Sequence, residues 1–273
     1  PFSLQESGLP VLGPEMVDQA IWRGGYPRIH AAEVEVLFHH RAYFQSFVER
    51  DLRALLRVHD LERFETFVRL CAGRVGQILN LTSLANDAGV SATTAREWLG
   101  LLEAAFVVVR LPPWHANIGK RLIKSSKLYF VDVGLAAYLQ GIEGPEQIRT
   151  HPLRGALFEN LVVIDAWKQR VHAGRDPRLH FFRTATGTEI DLILPGAAGP
   201  IPVEIKSGAT VNGQWFAALG RFQALVPEAQ EGALIYGGTG AQQRTGARVL
   251  DLPALAAGWQ GLPGWGVDQV ASS

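Results

Sequence analysis

Two short segments of this sequence carry its clearest chemistry. Thr188-Glu189-Ile190-Asp191-Leu192-Ile193-Leu194 and Ile201-Pro202-Val203-Glu204-Ile205-Lys206 set acidic residues among apolar ones and flank a Gly/Pro stretch, Pro195 to Pro200. That pattern predicts a β-hairpin. Side chains alternate faces along a strand, so Glu189 and Asp191 share one face, as do Glu204 and Lys206. A turn symmetric about its middle sets Asp191 across from Glu204. Opposed carboxylates on a partly buried sheet repel and do not both ionise cheaply. A divalent cation resolves the conflict, and an oxygen-only donor set suits Mg²⁺ or Mn²⁺. Lys206 places a cation beside the same point. A plainer reading of the same residues is a strand with one wet face, on which Lys206 pairs with Glu204.

A third carboxylate extends the set. Residues 152–172 read as a helix in which the neighbours of Glu159 three and four positions away are Gly155, Ala156, Val162 and Val163. None is charged. A Glu on an apolar helix face is costly unless it is paired or binds metal.

The elements that must position these residues follow from periodicity. Leu179–Thr184, Glu189–Leu194, Ile201–Lys206 and Gly232–Tyr236 read as strands, with a helix near Gln214–Val226, which makes an α/β unit. Upstream, helical spacing runs over 37–72 through Phe44, Phe47, Val48, Leu52, Leu55 and Leu56, with a second helix starting at Asp60 and carrying Phe64, Phe67, Val68 and Cys71. Glu49, Arg50, Asp51 and Arg53 form its solvated face. A short helix from Ser83 to Ala88 stops at Gly89, Ser91 caps the next, and Ala95, Trp98, Leu99 and Leu102 mark its buried side. The run Phe106 to Val109, ended by Pro112-Pro113, and Leu128 to Val131 read as two strands. Two short helices at a tight Gly turn and then a β-ribbon form the pattern of a winged helix-turn-helix. Residues 132–145 read as a helix capped by Asp132 and a linker, and 251–273 as a loosely ordered tail.

With 273 residues, 47% hydrophobic and 19% charged, the chain supports two or three packed domains. Lys plus Arg and Asp plus Glu are 26 each, so a nucleic-acid surface has to be a local patch. Such a patch is present from Ala104 to Val131, where Arg110, Lys120, Arg121, Lys124 and Lys127 face no acid, and Arg96 is the one strong base reader among Thr93, Arg96, Glu97 and Gly100. The single cysteine, Cys71, rules out an intrachain disulfide and reads as a buried thiol. His39-His40 and Trp98 read as packing residues, Trp114 as a packing anchor, and Gln214 as a neighbour of the hairpin site. No apolar run is long enough to span a bilayer and no signal peptide is visible, so the expected compartment is the cytosol. The chain opens at Pro1 and its one methionine is Met16, which reads as part of a longer protein.

Glu159 on a helix, Asp191 on a strand and Glu204-Ile205-Lys206 on the next are together similar to the PD-(D/E)XK nuclease superfamily. The resemblance implies that Glu159, Asp191, Glu204 and the carbonyl of Ile205 hold Mg²⁺ (or Mn²⁺). It implies that Lys206 acts with Asp191 and Glu204 on a phosphodiester, orienting or deprotonating water or stabilising the transition state. A wider set of stretches resembles the C-terminal region of a bacterial and archaeal group of AAA-type ATPases. They are Arg23-Gly24-Gly25-Tyr26-Pro27, Tyr43 through Asp51, Gly119-Lys120-Arg121-Leu122-Ile123-Lys124, Lys127 through Leu135, Gly155-Ala156-Leu157-Phe158-Glu159-Asn160, and the hairpin.

That resemblance implies a mixed fold. A remnant of the ATPase lid covers 1–36, an all-α and winged-helix part 37–145, and an α/β restriction-endonuclease-like PD-(D/E)XK domain 146–250. No G-x-x-x-x-G-K-[ST] occurs, so ATP enters only through a P-loop domain upstream. DNA and that ATPase domain are the implied partners, with no membrane partner; self-association into a homo-oligomer stays open. Three readings follow: a metal-dependent nuclease driven by the ATPase, a DNA-binding or regulatory module that no longer cuts, and a protein-interaction module of a signalling ATPase. The intact D…E-x-K set favours the first.

Overall fold

The computed structural model describes residues 1–9, 12–13, 15–31, 34–48, 61–115, 125–185, 187–244, 246–259, 262 and 265. In chain order the helices and strands are α1 (Leu4–Ser7), α2 (Met16–Arg23), α3 (Pro27–Ala31), α4 (Val36–Ser46), α5 (Leu61–Ala72), α6 (Leu81–Asp87), α7 (Ala92–Ala104), β1 (Val108–Leu111), β2 (Lys127–Phe130), α8 (Val133–Leu139), α9 (Pro145–Thr150) and α10 (Arg154–His172). They continue with β3 (His180–Arg183), β4 (Glu189–Gly196), β5 (Gly199–Lys206), a 3₁₀ turn (Gly213–Phe216), α11 (Ala217–Leu225), β6 (Gly232–Tyr236), β7 (Gln242–Arg244), β8 (Ala247–Leu250) and α12 (Leu252–Ala256). The fold is mixed α/β. Leu52, Leu55, Leu56 and the charged stretch 49–53 lie outside the described residues, so the helical stretch expected over 37–72 is seen as α4 and α5. No helix among the described residues is long and apolar enough to cross a membrane.

The chain divides into two compact units. The first holds the described residues of 18–110 and 125–161 together with Pro1, and the second those of 2–17, 111–124 and 162–273.

In the first unit, α5 buries Phe64, Phe67, Val68 and Cys71 completely, at the spacing of one helix face. Trp98 of α7 meets Phe64 and Phe67 edge-on, with ring centroids 5.2 and 5.5 Å apart. Asn80 caps α6 by accepting the Ser83 N–H at 3.0 Å, and Ser91 caps α7 by accepting the Thr94 N–H at 3.0 Å. Between them Gly89 takes φ +67°, a conformation that costs other L-residues about 1–2 kcal/mol. β1 and β2 pair as a two-stranded ribbon. Its first strand begins at Val108 and not at Phe106, because Phe106 has φ +54° and lies 62% exposed where the chain leaves α7.

Two sequence motifs acquire structural reasons here. In Arg23-Gly24-Gly25-Tyr26-Pro27, Gly25 donates its N–H to Asp132 Oδ2 at 2.7 Å, and a Cβ on Gly24 would lie 2.3 Å from Asp132 Oδ1. Asp132 is therefore more than the cap of α8, whose Leu135 N–H it accepts at 2.9 Å. In the second motif Asn160 of α10 pairs with the backbone of β2. Its Oδ1 accepts the Phe130 N–H at 2.8 Å and its Nδ2 donates to the Phe130 carbonyl at 2.9 Å.

The second unit is built on a six-stranded sheet in the order β3-β4-β5-β6-β8-β7. β3, β4 and β5 run antiparallel, β5, β6 and β8 run parallel, and β7 returns antiparallel to β8. Ile190 and Ile193 of β4 pack with Leu219, Phe222 and Val226 on and just after α11. β7 and β8 have no counterpart in the sequence reading. Gln242-Gln243-Arg244 is fully polar and exposed, and β8 is only four residues long, so neither shows an alternating pattern. The β4–β5 turn is also tighter than expected. Pairing continues through Pro195↔Pro200 to Gly196↔Gly199, which leaves only Ala197-Ala198 as the loop. The expected loose tail is ordered at its start. Asp251 caps α12 by accepting the Ala254 N–H at 3.1 Å, and Leu252, Leu255, Trp259, Leu262 and Trp265 are buried.

Candidate functional site

The hairpin brings Asp191, Glu204 and Lys206 together. The β4–β5 register runs from Gly196↔Gly199 to Leu192↔Val203, and Asp191 and Glu204 are the next residue on each strand. β4 is irregular at this point. Ile190 pairs with Phe182 and Ile193 with His180, so three steps on β4 face two on β3 and one extra residue falls at Asp191-Leu192. A bulge of this kind bends its strand and re-aims a side chain. The Asp191 carboxylate then does what a ladder carbonyl would do: its Oδ2 accepts the Ile205 N–H at 2.8 Å.

Lys206 bridges the two acids. Its Nζ lies 2.6 Å from Glu204 Oε1 and 3.6 Å from Asp191 Oδ2. Asp191 and Glu204 are 8% and 7% exposed, while the Lys206 side chain keeps 34% of its surface. Two nearly buried carboxylates thus converge on a point that one partly exposed ammonium also reaches. The hard oxygen donors fit Mg²⁺ or Mn²⁺, and the lysine would turn towards solvent or substrate when a cation takes its place between them.

The other expected site residues are placed differently. Glu159 lies on α10 in the first unit, where Lys127 Nζ approaches its Oε1 at 2.9 Å and the Tyr129 hydroxyl donates to the same oxygen at 2.5 Å. Among the described residues no group of three or more His, Cys, Asp or Glu side chains is arranged to hold a metal ion. Within the second unit the structure brings together two of the expected carboxylates, Asp191 and Glu204. The apolar surroundings of Glu159 are explained by its ion pair, the other outcome that burial allows. Ile205 is 5% exposed and contributes its N–H to Asp191.

The expected basic ribbon is corrected in the same way. Lys127 is 3% exposed and faces Glu159, so it does not reach a phosphate. It points inward because every residue of β2 is buried. Arg110 Nε binds Glu103 Oε1 at 2.5 Å, which offsets its charge. Arg96 is exposed on α7. Lys120, Arg121 and Lys124 lie outside the described residues.

Two polar clusters escaped the sequence reading. His40 is fully buried and His39 nearly so, and the Tyr26 ring centroid lies 5.8 Å from that of His40 and 5.4 Å from that of His39. Burial holds the His40 imidazole below its usual pKa, with the Asp132 carboxylate pulling the other way. On the C-terminal half of α10, buried Asp165 accepts the Leu4 N–H at 2.6 Å and the Trp259 indole N–H at 2.6 Å. Burial pushes this carboxyl up to about 6, against the lowering effect of those two hydrogen bonds.

Residues 14–146 match a Domain of unknown function (DUF8612), and residues 154–255 match a Domain of unknown function (DUF4143). DUF4143 is a domain often found at the C-terminus of AAA-type ATPases. Similar proteins include the uncharacterized protein Mb2031c of Mycobacterium bovis and the uncharacterized protein Rv2008c of Mycobacterium tuberculosis. Each is 34% identical over 210 residues, 75% of this chain and 46% of the relative. The chain thus spans about half the length of the curated relatives it matches. No solved structure matches it.

Proposed function

We propose that this chain is the C-terminal effector part of an AAA-type ATPase, with a winged helix-turn-helix that contacts DNA and a PD-(D/E)XK-like unit that hydrolyses phosphodiesters. The observation that carries this reading is the convergence of Asp191, Glu204 and Lys206, with Lys206 Nζ 2.6 Å from Glu204 and 3.6 Å from Asp191. The DUF4143 match supports the link to an ATPase. The succession α5, α6, Gly89, α7, β1, β2 supports the winged-helix reading.

Asp191 and Glu204 are the residues that would hold Mg²⁺ or Mn²⁺, with the Ile205 carbonyl as an added donor. When bound, such an ion supplies charge neutralisation at phosphorus and a lower pKa for water. The Ile205 N–H fixes the rotamer of Asp191 at 2.8 Å, so its second oxygen keeps a set direction. Lys206 orients the attacking water or stabilises the charge of the transition state. The paired state seen here, with Lys206 drawn onto Glu204, is the resting arrangement.

Calorimetric titration of Mn²⁺ into the wild-type chain and into Asp191→Ala/Glu204→Ala tests the reading. Binding is expected in the first and absent in the second, together with metal-dependent cleavage of plasmid or single-stranded DNA that Lys206→Ala abolishes. Equal titrations in both proteins would overturn the catalytic reading. The Arg110–Glu103 and Lys127–Glu159 pairs favour a second reading, a regulatory or protein-interaction module, because they remove charge from the ribbon expected to touch phosphate.

A further inference from the structure

The loop between α10 and β3 concentrates positive charge in a chain whose formal net charge is zero. Arg170, Arg175, Arg178 and Arg183 lie within 14 residues that contain one acid, Asp176. The loop has a defined shape. Gly174, at φ +69°, turns the chain out of α10, and the Arg175 N–H donates to the Arg170 carbonyl at 2.9 Å. Arg170 braces the return: its Nε and Nη2 donate to the Asp176 carbonyl at 3.2 and 3.0 Å, while its guanidinium lies 5.6 Å from the Trp265 ring centroid. Burial lowers the Arg170 pKa, and the charges of Arg175 and Arg178 lower it further, so the three guanidinium groups sense one another.

Arg178 is the unusual member. Its φ is +48°, a region that glycine fills without strain, and its side chain is 71% exposed. Asp176, itself 74% exposed, accepts the Arg178 backbone N–H at 3.3 Å, and its carboxylate lies 4.0 Å from the Arg178 guanidinium. An arginine held in a strained backbone, among like charges and with only a long, solvent-exposed ion pair, gains more from a polyanion than from its own fold. Guanidinium groups pair with phosphate through two parallel N–H donors. The loop runs directly into β3, whose first residue, His180, pairs in register with Ile193 of β4, two residues after Asp191, while Arg183 at the far end of β3 lies 3.6 Å from the Glu189 carboxylate.

We propose that the Arg175–Arg178 loop docks the phosphate backbone of a nucleic acid for the Asp191, Glu204 and Lys206 site of the same unit. This rests on the nucleic-acid part of the function proposed above and supplies the substrate surface that the β1–β2 ribbon lacks among its described residues. A second explanation is that the arginines only settle the negative end of the α10 dipole. The two differ in what salt and sequence changes do.

Fluorescence anisotropy with a labelled duplex of about 20 base pairs and its single strand, between roughly 50 and 200 mM salt, decides between them. Arg175→Ala/Arg178→Ala is expected to weaken duplex binding about 10- to 100-fold and to flatten the log K against log salt slope by about 1.8, which is two phosphate contacts. Arg175→Lys/Arg178→Lys keeps the slope, and Arg110→Ala, whose charge Glu103 already offsets, changes affinity less than about twofold. Arg178→Gly relieves the left-handed backbone, so its melting temperature is expected to hold or rise while its affinity falls. A purely structural arginine would show the reverse. Unchanged affinity and slope in the double alanine variant, or a wild type that binds neither strand at low salt, would overturn the proposal. Mn²⁺ titration of the same proteins keeps the two ideas apart. Intact DNA binding without a metal site removes the chemistry and leaves the docking surface, and intact metal binding without salt-dependent DNA binding does the opposite.

Discussion

Asp165 is 2% exposed, and each of its oxygens accepts a hydrogen bond from a distant part of the chain, Leu4 and Trp259. Asp165→Ala leaves two buried N–H groups without an acceptor and is expected to cost about 1–3 kcal/mol, read from urea unfolding. The cost depends on pH. The folded carboxyl titrates near 6, against 3.8 ordinarily, so the fold holds this proton more tightly than the unfolded chain does. Its contribution is full below about pH 4 and declines as pH rises towards 6. The loss in Asp165→Ala is therefore larger at pH 5 than at pH 7. His40 acts with the opposite sign. Its pKa is lowered from 6.5 by burial, so the unfolded chain takes the proton first and stability falls as pH drops through 6.5. Sequence could reveal neither role. Leu4 and Trp259 stand 161 and 94 residues from Asp165, and no local spacing links them. Asp191, Glu204 and Lys206 were legible because a hairpin with a short turn brings their stretches of strand together, although the bulge that aims Asp191 was not. For Glu159 an apolar helix face shows that a partner is needed but not which one, and the structure sets Lys127 and Tyr129 against it.

At the level of elements, the Lys127–Glu159 pair ties β2 to α10, and Asn160 repeats the tie one residue later. Lys127→Ala alone is expected to destabilise the fold by about 3 kcal/mol, the low end for a broken buried pair because the Glu159 side chain keeps 16% of its surface. Lys127→Met/Glu159→Leu is expected to recover most of that loss, and denaturant midpoints of the wild type, Lys127→Met, Glu159→Leu and the double variant give the coupling. Glu159→Gln leaves Mn²⁺ affinity within about twofold, whereas a metal-ligand role would lower it 10- to 100-fold. The helices were legible where capping residues and apolar spacing agree, as in Asn80–Gly89–Ser91. Strand parity was less informative where a strand is buried on both faces. β2 buries all four of its residues, so the basic character of Lys127 says nothing of its direction.

For the molecule as a whole, the family boundaries at 146 and 154 fall near the change of compact unit after Leu161. Charge balance over the whole chain masks local patches: the arginines of 170–183 can be counted in the sequence, but their loop takes a shape only once α10 and β3 bound it. The absence of a G-x-x-x-x-G-K-[ST] stretch makes a further test simple. ATP with Mg²⁺ is expected to release no phosphate above background and to leave the melting temperature of this chain unchanged; turnover would require a nucleotide site outside the known motif. One hydrogen bond has a consequence in time. During synthesis the Leu4 N–H has no Asp165 to meet until 161 more residues have been added, which takes roughly 8–30 s at 5–20 residues per second. The indole of Trp259 comes later still. Until then α1, with its own Ser3–Glu6 capping box, emerges from the ribosome as a turn waiting for its seat. Segments made long after α1 are the ones that let it dock.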